Sequence, residues 1–459
     1  MSEKNQFGTK IGLVAATVGS AVGLGNVWRF PAETVSNGGA AFLLLYVACV
    51  LVLGVPVMLA EMSLGRAGRS DSVGVFRRLS PRSGWWVVGA LGLLSSYMIM
   101  CFYMVVEGWT LEYLWQSVTG GLYAPAGEAV AGGSVEAADS LFSMRMEEYI
   151  ASDLPPLVFT AIVILLNIGI LLGGVRKGIE RLSNIMLPLL FVVLGILCFV
   201  SLTLPGAESG LKWFLSPDFS KITASTVINA LGQTFFSLSL GMGILVTYAS
   251  YYPADTRLGG TSLTVALMSL LVALMVGCVI FPAVSSFGLA DHSLRGATLV
   301  FQTLPEVFAY MPGTRIWSTL FFILLMVAAL TFTVSIAEVS VAFLRDRFHM
   351  RRHWAVITAL APLLVFSSLC SLSMGSLADF KIFGLTIFDF LDNVSTNIIL
   401  PLVSIGICLY MGWWSPRGLL AAELTNGGAH RSRITTLVQF IIRYVAPLLI
   451  AVIWIYNFV

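Results

Sequence analysis

Eleven stretches of the chain are apolar over about twenty residues or more, the length that a helix needs to cross a bilayer. Of the 459 residues, 57% are hydrophobic and 11% are charged, a balance that soluble domains of this size do not have. The sequence therefore predicts an all-α integral membrane protein with 11 transmembrane helices. The predicted spans are 10–31, 39–65, 85–117, 155–174, 180–204, 222–251, 260–284, 315–344, 353–373, 384–413 and 432–457.

Lysine and arginine residues concentrate in four short loops, which follow the second, fourth, eighth and tenth predicted spans. All four loops fall on one side, and loops rich in Lys and Arg face the cytoplasm. We therefore expect a multi-pass protein of the plasma or inner membrane with a cytoplasmic N-terminus. The longest loop on the opposite side, at about 118–154, is acidic and is expected to form a partly helical external cap.

Two of the spans contain residues that interrupt a helix. Three glycines and a proline fall within 19–31, and hydroxyl residues and glycines concentrate at 233–243. Interrupted helices in matching positions of two repeats favour a binding site at the membrane midplane, although small residues also serve helix packing. Because each repeat would have five spans, the two would be inverted. We predict one transporter domain with inverted repeats at 10–204 and 222–413 and an extra helix at 432–457.

The stretches around both breaks are distinctive. The first reads GSAVGLGNVWRFP at 19–31 and is followed by Asn37, Gly38 and Gly39; the second reads FFSLSLGMG at 235–243. Together they resemble the neurotransmitter:sodium symporter family, with the leucine-transporter fold, over about spans 1–10. The span count is similar to that of the bacterial amino-acid branch. The resemblance implies an alternating-access symporter and not an enzyme.

The same resemblance implies where a substrate binds. The substrate carboxylate is expected at the Tyr103 hydroxyl and at backbone groups of Ala21, Leu24 and Gly25, because N–H groups at the start of a half-helix favour an anion. Gly23 stands where monoamine carriers of the family place an aspartate, so the substrate is expected to be an amino acid. The apolar side-chain pocket suggests a hydrophobic or aromatic L-amino acid. The pocket is expected to comprise Ile99, Phe236, Ser237, Ser239, Met242, Phe332 and Ile336.

Two sodium sites are also implied, and sodium prefers a shell of oxygen ligands. In the first site Ser269 replaces the usual Asn or Asp, and in the second Phe332 stands where the family supplies an oxygen, which weakens that site. Chloride is a further candidate ion. The first sodium site is expected at Ala21, Asn26, Ser237 and Ser269. The second is expected at Gly19, Val22, Ala328 and Thr331. The chloride site is expected at Tyr46, Gln233, Ser237 and Ser269.

The resemblance also implies two gates, and charged residues inside a span are functional candidates in their own right. The outer gate would pair Arg29 with Asp392, with Phe236 as an aromatic lid. The inner gate is expected to comprise Lys4, Tyr251 and Asp346.

Three functions stay open on the sequence alone. The first is a sodium-coupled symporter of hydrophobic or aromatic L-amino acids. The second is a sodium-independent or proton-coupled amino-acid transporter, which Phe332 favours because it supplies no oxygen. The third is a non-transporting amino-acid sensor, which would bind without flux. The expected partners are the amino acid and the lipid bilayer, without nucleic acid, in a monomer or a dimer.

Overall fold

Helices make up almost all of the secondary structure in the computed structural model, which describes residues 7–23, 25–124, 135–288, 299–429 and 434–456. Nine helices in this described part are long and apolar enough to cross a membrane without interruption. We number the spans in chain order. The continuous ones are span 2 (Ala40–Gly68), span 3 (Trp86–Thr119), span 4 (Leu154–Leu172), span 5 (Val175–Leu202), span 7 (Leu258–Ser286), span 8 (Thr314–Phe348), span 9 (Arg352–Leu372), span 10 (Ile387–Trp414) and span 11 (Thr435–Tyr456).

Spans 1 and 6 are the two broken helices that the glycine pattern predicts. Span 1 consists of Lys10–Ala21 and Gly25–Ser36, which are bent by 49° relative to each other. Span 6 consists of Ala224–Ser237 and Ile244–Ser250. Together with the nine continuous helices they account for the eleven predicted spans, so the predicted all-α membrane fold class is confirmed.

The spans differ in how far they are enclosed by the rest of the protein. In span 8, 83% of the most apolar window is buried inside the protein, whereas in span 5 the share is 28%. Span 5 turns large apolar side chains outward, such as Phe199 and Val192, as a lipid-facing helix does. Span 8 runs through the interior, so each polar group that it carries needs a partner there.

Short helices lie in the loops on the side opposite the N-terminus. The loop predicted to form a cap contains the helix Val135–Ala151, while its residues 125–134 lie outside the described part. The helix Ala207–Leu215 lies between spans 5 and 6, and Leu299–Ala309 lies between spans 7 and 8. In the helix Ala207–Leu215, the Trp213 ring centroid lies 5.1 Å from that of Phe281 in span 7, so this helix is fixed against a span.

The break in span 6 is stabilised by side chains from neighbouring spans. Glu61 of span 2 accepts a hydrogen bond from the Gly241 N–H at 2.7 Å, and the Ser96 hydroxyl of span 3 donates to the Met242 carbonyl. These bonds replace the backbone bonds that an intact helix would make, which is required at membrane depth. The break has a left-handed backbone at Ser239, Gly241 and Gly243.

Candidate functional site

The two breaks lie against each other inside the protein. The Ser239 hydroxyl donates to the Ser20 carbonyl at 2.7 Å, and the Gln233 amide donates to the Gly25 carbonyl at 3.0 Å. Side chains of span 6 therefore hold the interrupted backbone of span 1. Leu24, which we predict to contact a substrate carboxylate, lies outside the described residues.

A buried polar cluster adjoins the breaks. The Asn26 amide donates to the Ala21 carbonyl and to the Ser269 hydroxyl, both at 3.0 Å. The Tyr46 hydroxyl donates to Ser237 at 2.8 Å. The structure therefore brings together Asn26, Ala21 and Ser269 of the predicted first sodium site, and it joins Tyr46 to Ser237, two of the residues named for chloride.

Two amide oxygens in this cluster lack a hydrogen-bond donor. Asn26 Oδ1 and Gln233 Oε1 are both buried, and neither accepts a hydrogen bond from the described residues. Leaving a buried acceptor unsatisfied costs about 1–3 kcal/mol, so such an oxygen calls for a cation or a water molecule. Amide, hydroxyl and backbone carbonyl oxygens are the ligands of hard cations. The residues present here thus fit a sodium ion as a transported ion.

The residues of the predicted second sodium site lie where spans 1 and 8 approach closely. A Cβ added at Gly19 would lie 3.4 Å from the Thr331 Cβ. The Thr331 hydroxyl donates to the carbonyls of Val327 and Ala328, both at 3.0 Å. Val22 is fully buried at the end of the first half of span 1. The structure thus places Thr331 beside Gly19, with its hydroxyl proton already used within span 8.

The Phe332 side chain lies beside the predicted substrate site, and it supplies no oxygen to the second cation site. A Cβ added at Gly23 would lie 3.2 Å from the Phe332 Cβ, and the ring centroids of Phe332 and Tyr103 are 4.6 Å apart. A Cβ at position 23 would therefore be in tight contact with Phe332, which would have to shift by a few tenths of an ångström.

The residues predicted to line the side-chain pocket are almost all buried. Phe236 is its half-buried member, and its ring would lie 2.6 Å from a Cβ added at Gly25, so the ring rests directly on the break of span 1. Pocket residues that are buried are Ile99, Tyr103, Ser237, Ser239, Met242, Phe332 and Ile336.

A vestibule of 330 Å³ opens on the side away from the N-terminus. The predicted gate residues Arg29 and Asp392 both line it, together with Tyr103 and Phe236. The Arg29 guanidinium lies 5.0 Å from the Phe236 ring centroid and 3.6 Å from a Glu33 carboxylate oxygen. In this conformation the ion partner of Arg29 within the described residues is Glu33 rather than Asp392.

Polar side chains meet on the opposite, N-terminal side of the site. The Tyr251 hydroxyl donates to Glu338 at 3.0 Å and accepts from Arg345 at 3.3 Å. Arg352 donates twice to the fully buried Glu338 carboxylate, at 3.0 and 2.8 Å. Asp346, a predicted gate residue, pairs with Arg345 at 3.0 Å. Tyr251 and Asp346 are thus joined through Arg345.

Aromatic rings close this N-terminal side. The Phe7 ring lies 5.7 Å from that of Tyr248, 6.5 Å from that of Tyr251 and 6.2 Å from that of Tyr252. All four side chains are buried. Lys4, the remaining predicted residue of the inner gate, lies outside the described residues.

Two carboxylates in the loops on the N-terminal side have shifted pKa values. Burial raises the pKa of Asp71, in the turn after span 2, whose backbone N–H donates to Asp346 at 3.2 Å. A hydrogen bond from Lys10, at 2.8 Å, lowers the pKa of Asp255. The second contact ties the start of span 1 to the segment that follows span 6.

Several ionisable residues at the site were not among the sequence predictions. Glu61 could have been found, because a carboxylate inside an apolar span is a functional signal by itself. Glu33 is four residues after Arg29, a spacing that places the two on one helix face. Glu338 carries the same signal inside span 8, but its pairing with Arg352 could not be predicted, since it depends on how the ends of spans 8 and 9 meet.

Comparisons with known proteins agree with this architecture. The model of the sodium:neurotransmitter symporter family matches residues 4–127 and 154–459. An uncharacterised sodium-dependent transporter of Bacillus subtilis, YhdH, is 34% identical over 456 residues, which cover 99% of this chain and 98% of the relative. An uncharacterised sodium-dependent transporter of Haemophilus influenzae is 31% identical, with the same coverage of 99% and 98%.

A solved structure is similar over nearly its whole length. The crystal structure of MhsT in complex with L-phenylalanine superposes with a TM-score of 0.87 at 38% sequence identity, covering 98% of this chain and 99% of that one. The leucine-transporter fold predicted from the two breaks is thereby confirmed, as is the family. The chain belongs to the sodium:neurotransmitter symporter family, whose members are membrane transporters and not enzymes.

Proposed function

We propose that this protein is a sodium-coupled symporter of hydrophobic or aromatic L-amino acids that works by alternating access. The observation that carries the proposal is the buried Asn26 Oδ1 at the interrupted backbone of span 1, an oxygen that accepts no hydrogen bond from the residues that the structure describes. It provides a place for a cation next to the proposed apolar pocket. The similar MhsT structure was solved in complex with L-phenylalanine, which supports the same substrate class here.

In this proposal the substrate lies between spans 1, 3, 6 and 8. The Tyr103 hydroxyl and the backbone at Ala21, Leu24 and Gly25 receive its carboxylate. Its side chain contacts the apolar pocket, where Phe332 already occupies space beside Tyr103. The described residues that we propose to line this pocket are uncharged, which suits an apolar side chain.

The first sodium ion would be bound by Asn26, the Ala21 carbonyl, Ser237 and Ser269. Asn26 and Ser269 are already 3.0 Å apart. The second ion would use the carbonyls of Gly19, Val22 and Ala328 with Thr331. Because Phe332 adds no oxygen, we expect the second ion to bind weakly. Chloride binding at Tyr46, Gln233, Ser237 and Ser269 is a separate proposal, to be tested by replacing chloride with gluconate.

The repeats at 10–204 and 222–413 would rock against each other, with the extra helix at 432–457 outside the repeat. The vestibule would face the cell exterior, and the N-terminal side would face the cytoplasm. Arg29 and Asp392 would pair when the vestibule closes, because both line it. On the other side Lys4, Tyr251 and Asp346 would separate to release the substrate.

A second candidate is an amino-acid transporter that uses protons or no ion gradient. Phe332 favours it, because it removes an oxygen from the second cation site. A non-transporting sensor is the third candidate and predicts binding without flux.

Uptake of labelled leucine, tryptophan, tyrosine and phenylalanine into proteoliposomes tests these proposals. Each is measured with an inward sodium gradient and again with potassium in place of sodium. Concentrative uptake only with sodium is the expected result. Equal uptake under both conditions would replace the sodium-coupled proposal by the second candidate, and binding without uptake would replace it by the sensor.

A further inference from the structure

A carboxylate with no role in the proposed sodium and substrate sites lies in the middle of span 3. Glu107 is completely buried, and neither of its carboxyl oxygens has a hydrogen-bond partner within the described part of the chain. It is four residues after Tyr103, so both side chains lie on the same face of the helix. A group of this kind inside a membrane span is a functional candidate.

The surroundings of Glu107 contain more acceptors than donors. Asn167 of span 4 and Thr333 of span 8 flank its carboxyl group. The Asn167 amide N–H₂ group is directed to the Val163 carbonyl at 3.1 Å and to the Met104 sulfur at 3.8 Å. The Asn167 Oδ1 is buried and accepts no hydrogen bond from the described residues. The Thr333 hydroxyl donates to the Leu330 carbonyl at 3.2 Å.

This inventory decides which form of Glu107 fits. An ionised carboxylate accepts hydrogen bonds only, so it would add two more acceptors to a site where an acceptor is already unsatisfied. A neutral carboxyl group supplies one O–H, and Asn167 Oδ1 is the acceptor in need of one. The protonated form therefore suits this set of hydrogen-bonding partners better than the ionised form.

Within the part of the chain that the structure describes, Glu107 has no ion-pair partner to compensate for a negative charge. Span 4 carries no ionisable side chain between Leu154 and Leu172. The charged residue of span 8 nearest in sequence to Thr333 is Glu338, whose charge is paired with Arg352. Other ionisable groups lie farther along span 3 and on spans 8, 9 and 10. They include Cys101 and Glu112 of span 3, Arg315 of span 8, Cys370 of span 9, and Asp389 and Asp392 of span 10. Burying an unpaired charge is costly, so the neutral form is favoured.

We infer that Glu107 is a proton-binding site coupled to the substrate site one helical turn away. The inference rests on the proposed function, in which the substrate carboxylate binds at Tyr103. Thr333, on the other side of Glu107, directly follows Phe332 of the pocket. A bound carboxylate brings a negative charge close to Glu107 and further disfavours its ionised form, because charges interact strongly in a low-dielectric interior. Substrate and proton therefore favour each other's binding.

Such coupling is reciprocal and can be measured from either ligand. As the pH rises and Glu107 loses its proton in the free protein, the dissociation constant for the substrate should rise. The full increase equals the coupling factor, which is on the order of 5- to 150-fold for linked sites. Glu107→Gln holds the site in a neutral, hydrogen-bonding form and should bind with the affinity of the wild type at low pH.

The test measures the dissociation constant of labelled L-phenylalanine for the purified full chain, in saturating sodium, from pH 6 to 9. Wild type, Glu107→Gln and the control Glu112→Gln are compared. Glu112 is a carboxylate on the same helix that accepts a bond from Gln116, outside the proposed site. Ionisation of the ligand itself affects all three proteins equally. We expect wild type and Glu112→Gln to lose at least fivefold in affinity at high pH relative to Glu107→Gln.

Calorimetry in two buffers of different ionisation enthalpy provides a second readout, the number of protons taken up per substrate bound. We expect the wild type to take up protons on substrate binding near the midpoint of its pH dependence. This readout does not depend on whether Glu107→Gln folds. Equal pH dependence in all three proteins, or no proton uptake by wild type at any pH, would overturn the inference while leaving the proposed function intact. Loss of one bound sodium in Glu107→Gln would overturn it in favour of a cation site. Absence of binding by every protein would instead refute the proposed function.

Discussion

Replacing Arg352 by methionine tests whether the ion pair on the N-terminal side stabilises the closed protein. Glu338 is completely buried and Arg352 is 19% exposed, and the two share two hydrogen bonds. Methionine keeps the apolar stem of arginine but leaves the Glu338 carboxylate without its main partner. Breaking a buried pair in this way costs about 3–5 kcal/mol.

The structure favours the lower end of that range. The Tyr251 hydroxyl still donates to Glu338 after the substitution, and the partial exposure of Arg352 weakens the original pair. Arg352 also donates to the Leu171 carbonyl at 2.9 Å, a bond worth about 1 kcal/mol. We therefore expect Arg352→Met to lower the free energy of unfolding by about 3 kcal/mol. Replacing both partners by apolar residues removes the unpaired charge. The double variant Arg352→Met with Glu338→Met should therefore recover about 2 kcal/mol of the free energy of unfolding lost in Arg352→Met.

The measurement is the free energy of unfolding of the purified protein in mixed detergent micelles titrated with dodecyl sulfate. Wild type, both single variants and the double variant form a cycle that isolates the pair from the bond to Leu171. A loss below about 1 kcal/mol in Arg352→Met, or a double variant as unstable as that single variant, would refute the assignment of a buried, stabilising pair.

Three further outcomes are expected. Gly241→Ala puts a Cβ on a left-handed backbone, 2.8 Å from the Leu400 carbonyl oxygen, and should abolish uptake and lower the melting temperature. The control Gly259→Ala, whose Cβ meets open space, should change neither. Equal melting curves for the two variants would contradict this prediction. Phe332→Ser should increase the dependence of uptake on external sodium, and an unchanged sodium titration would count against a second site weakened by the ring. Glu61→Gln keeps an acceptor for the Gly241 N–H and should retain most uptake, whereas Glu61→Ala should lose uptake. Similar uptake rates in the two variants would show that Glu61 does not stabilise the break.

The broken helices illustrate what sequence reasoning can and cannot provide. Glycines at 19–31 and 233–243 predicted both interruptions, because glycine weakens a helix wherever it is placed. They did not reveal that Ser239 takes a left-handed conformation, since a side chain rarely adopts it without support from elsewhere. In the structure the Ser239 hydroxyl donates to the Ser20 carbonyl of span 1, and Glu61 of span 2 accepts from the nearby Gly241 N–H. Contacts between such distant spans are not specified by local patterns.

The candidate site divides in the same way. Asn26, Ser269 and Ser237 were predicted through the family resemblance, and the structure places Asn26 next to Ser269. The pairing of Arg29 with Glu33 was not predicted, because which carboxylate reaches an arginine depends on the conformation of the vestibule. The hydrogen-bond inventory around Glu107 likewise requires three spans to be positioned together.

The two sides of the site differ in what would have to move, and this has a consequence for how temperature affects transport. Toward the vestibule, the half-buried Phe236 ring lies over Gly25 beneath Arg29, so access there needs little more than the rotation of one side chain. Toward the N-terminus, Phe7 packs against three buried tyrosines, so opening must separate whole aromatic surfaces. Side-chain rotation is orders of magnitude faster than collective helix motion. Separating packed surfaces also breaks many dispersion contacts at once and so has the larger activation enthalpy. Under the proposed function, cooling should therefore slow substrate release more than substrate loading, and a chilled population should accumulate with substrate bound and the vestibule open.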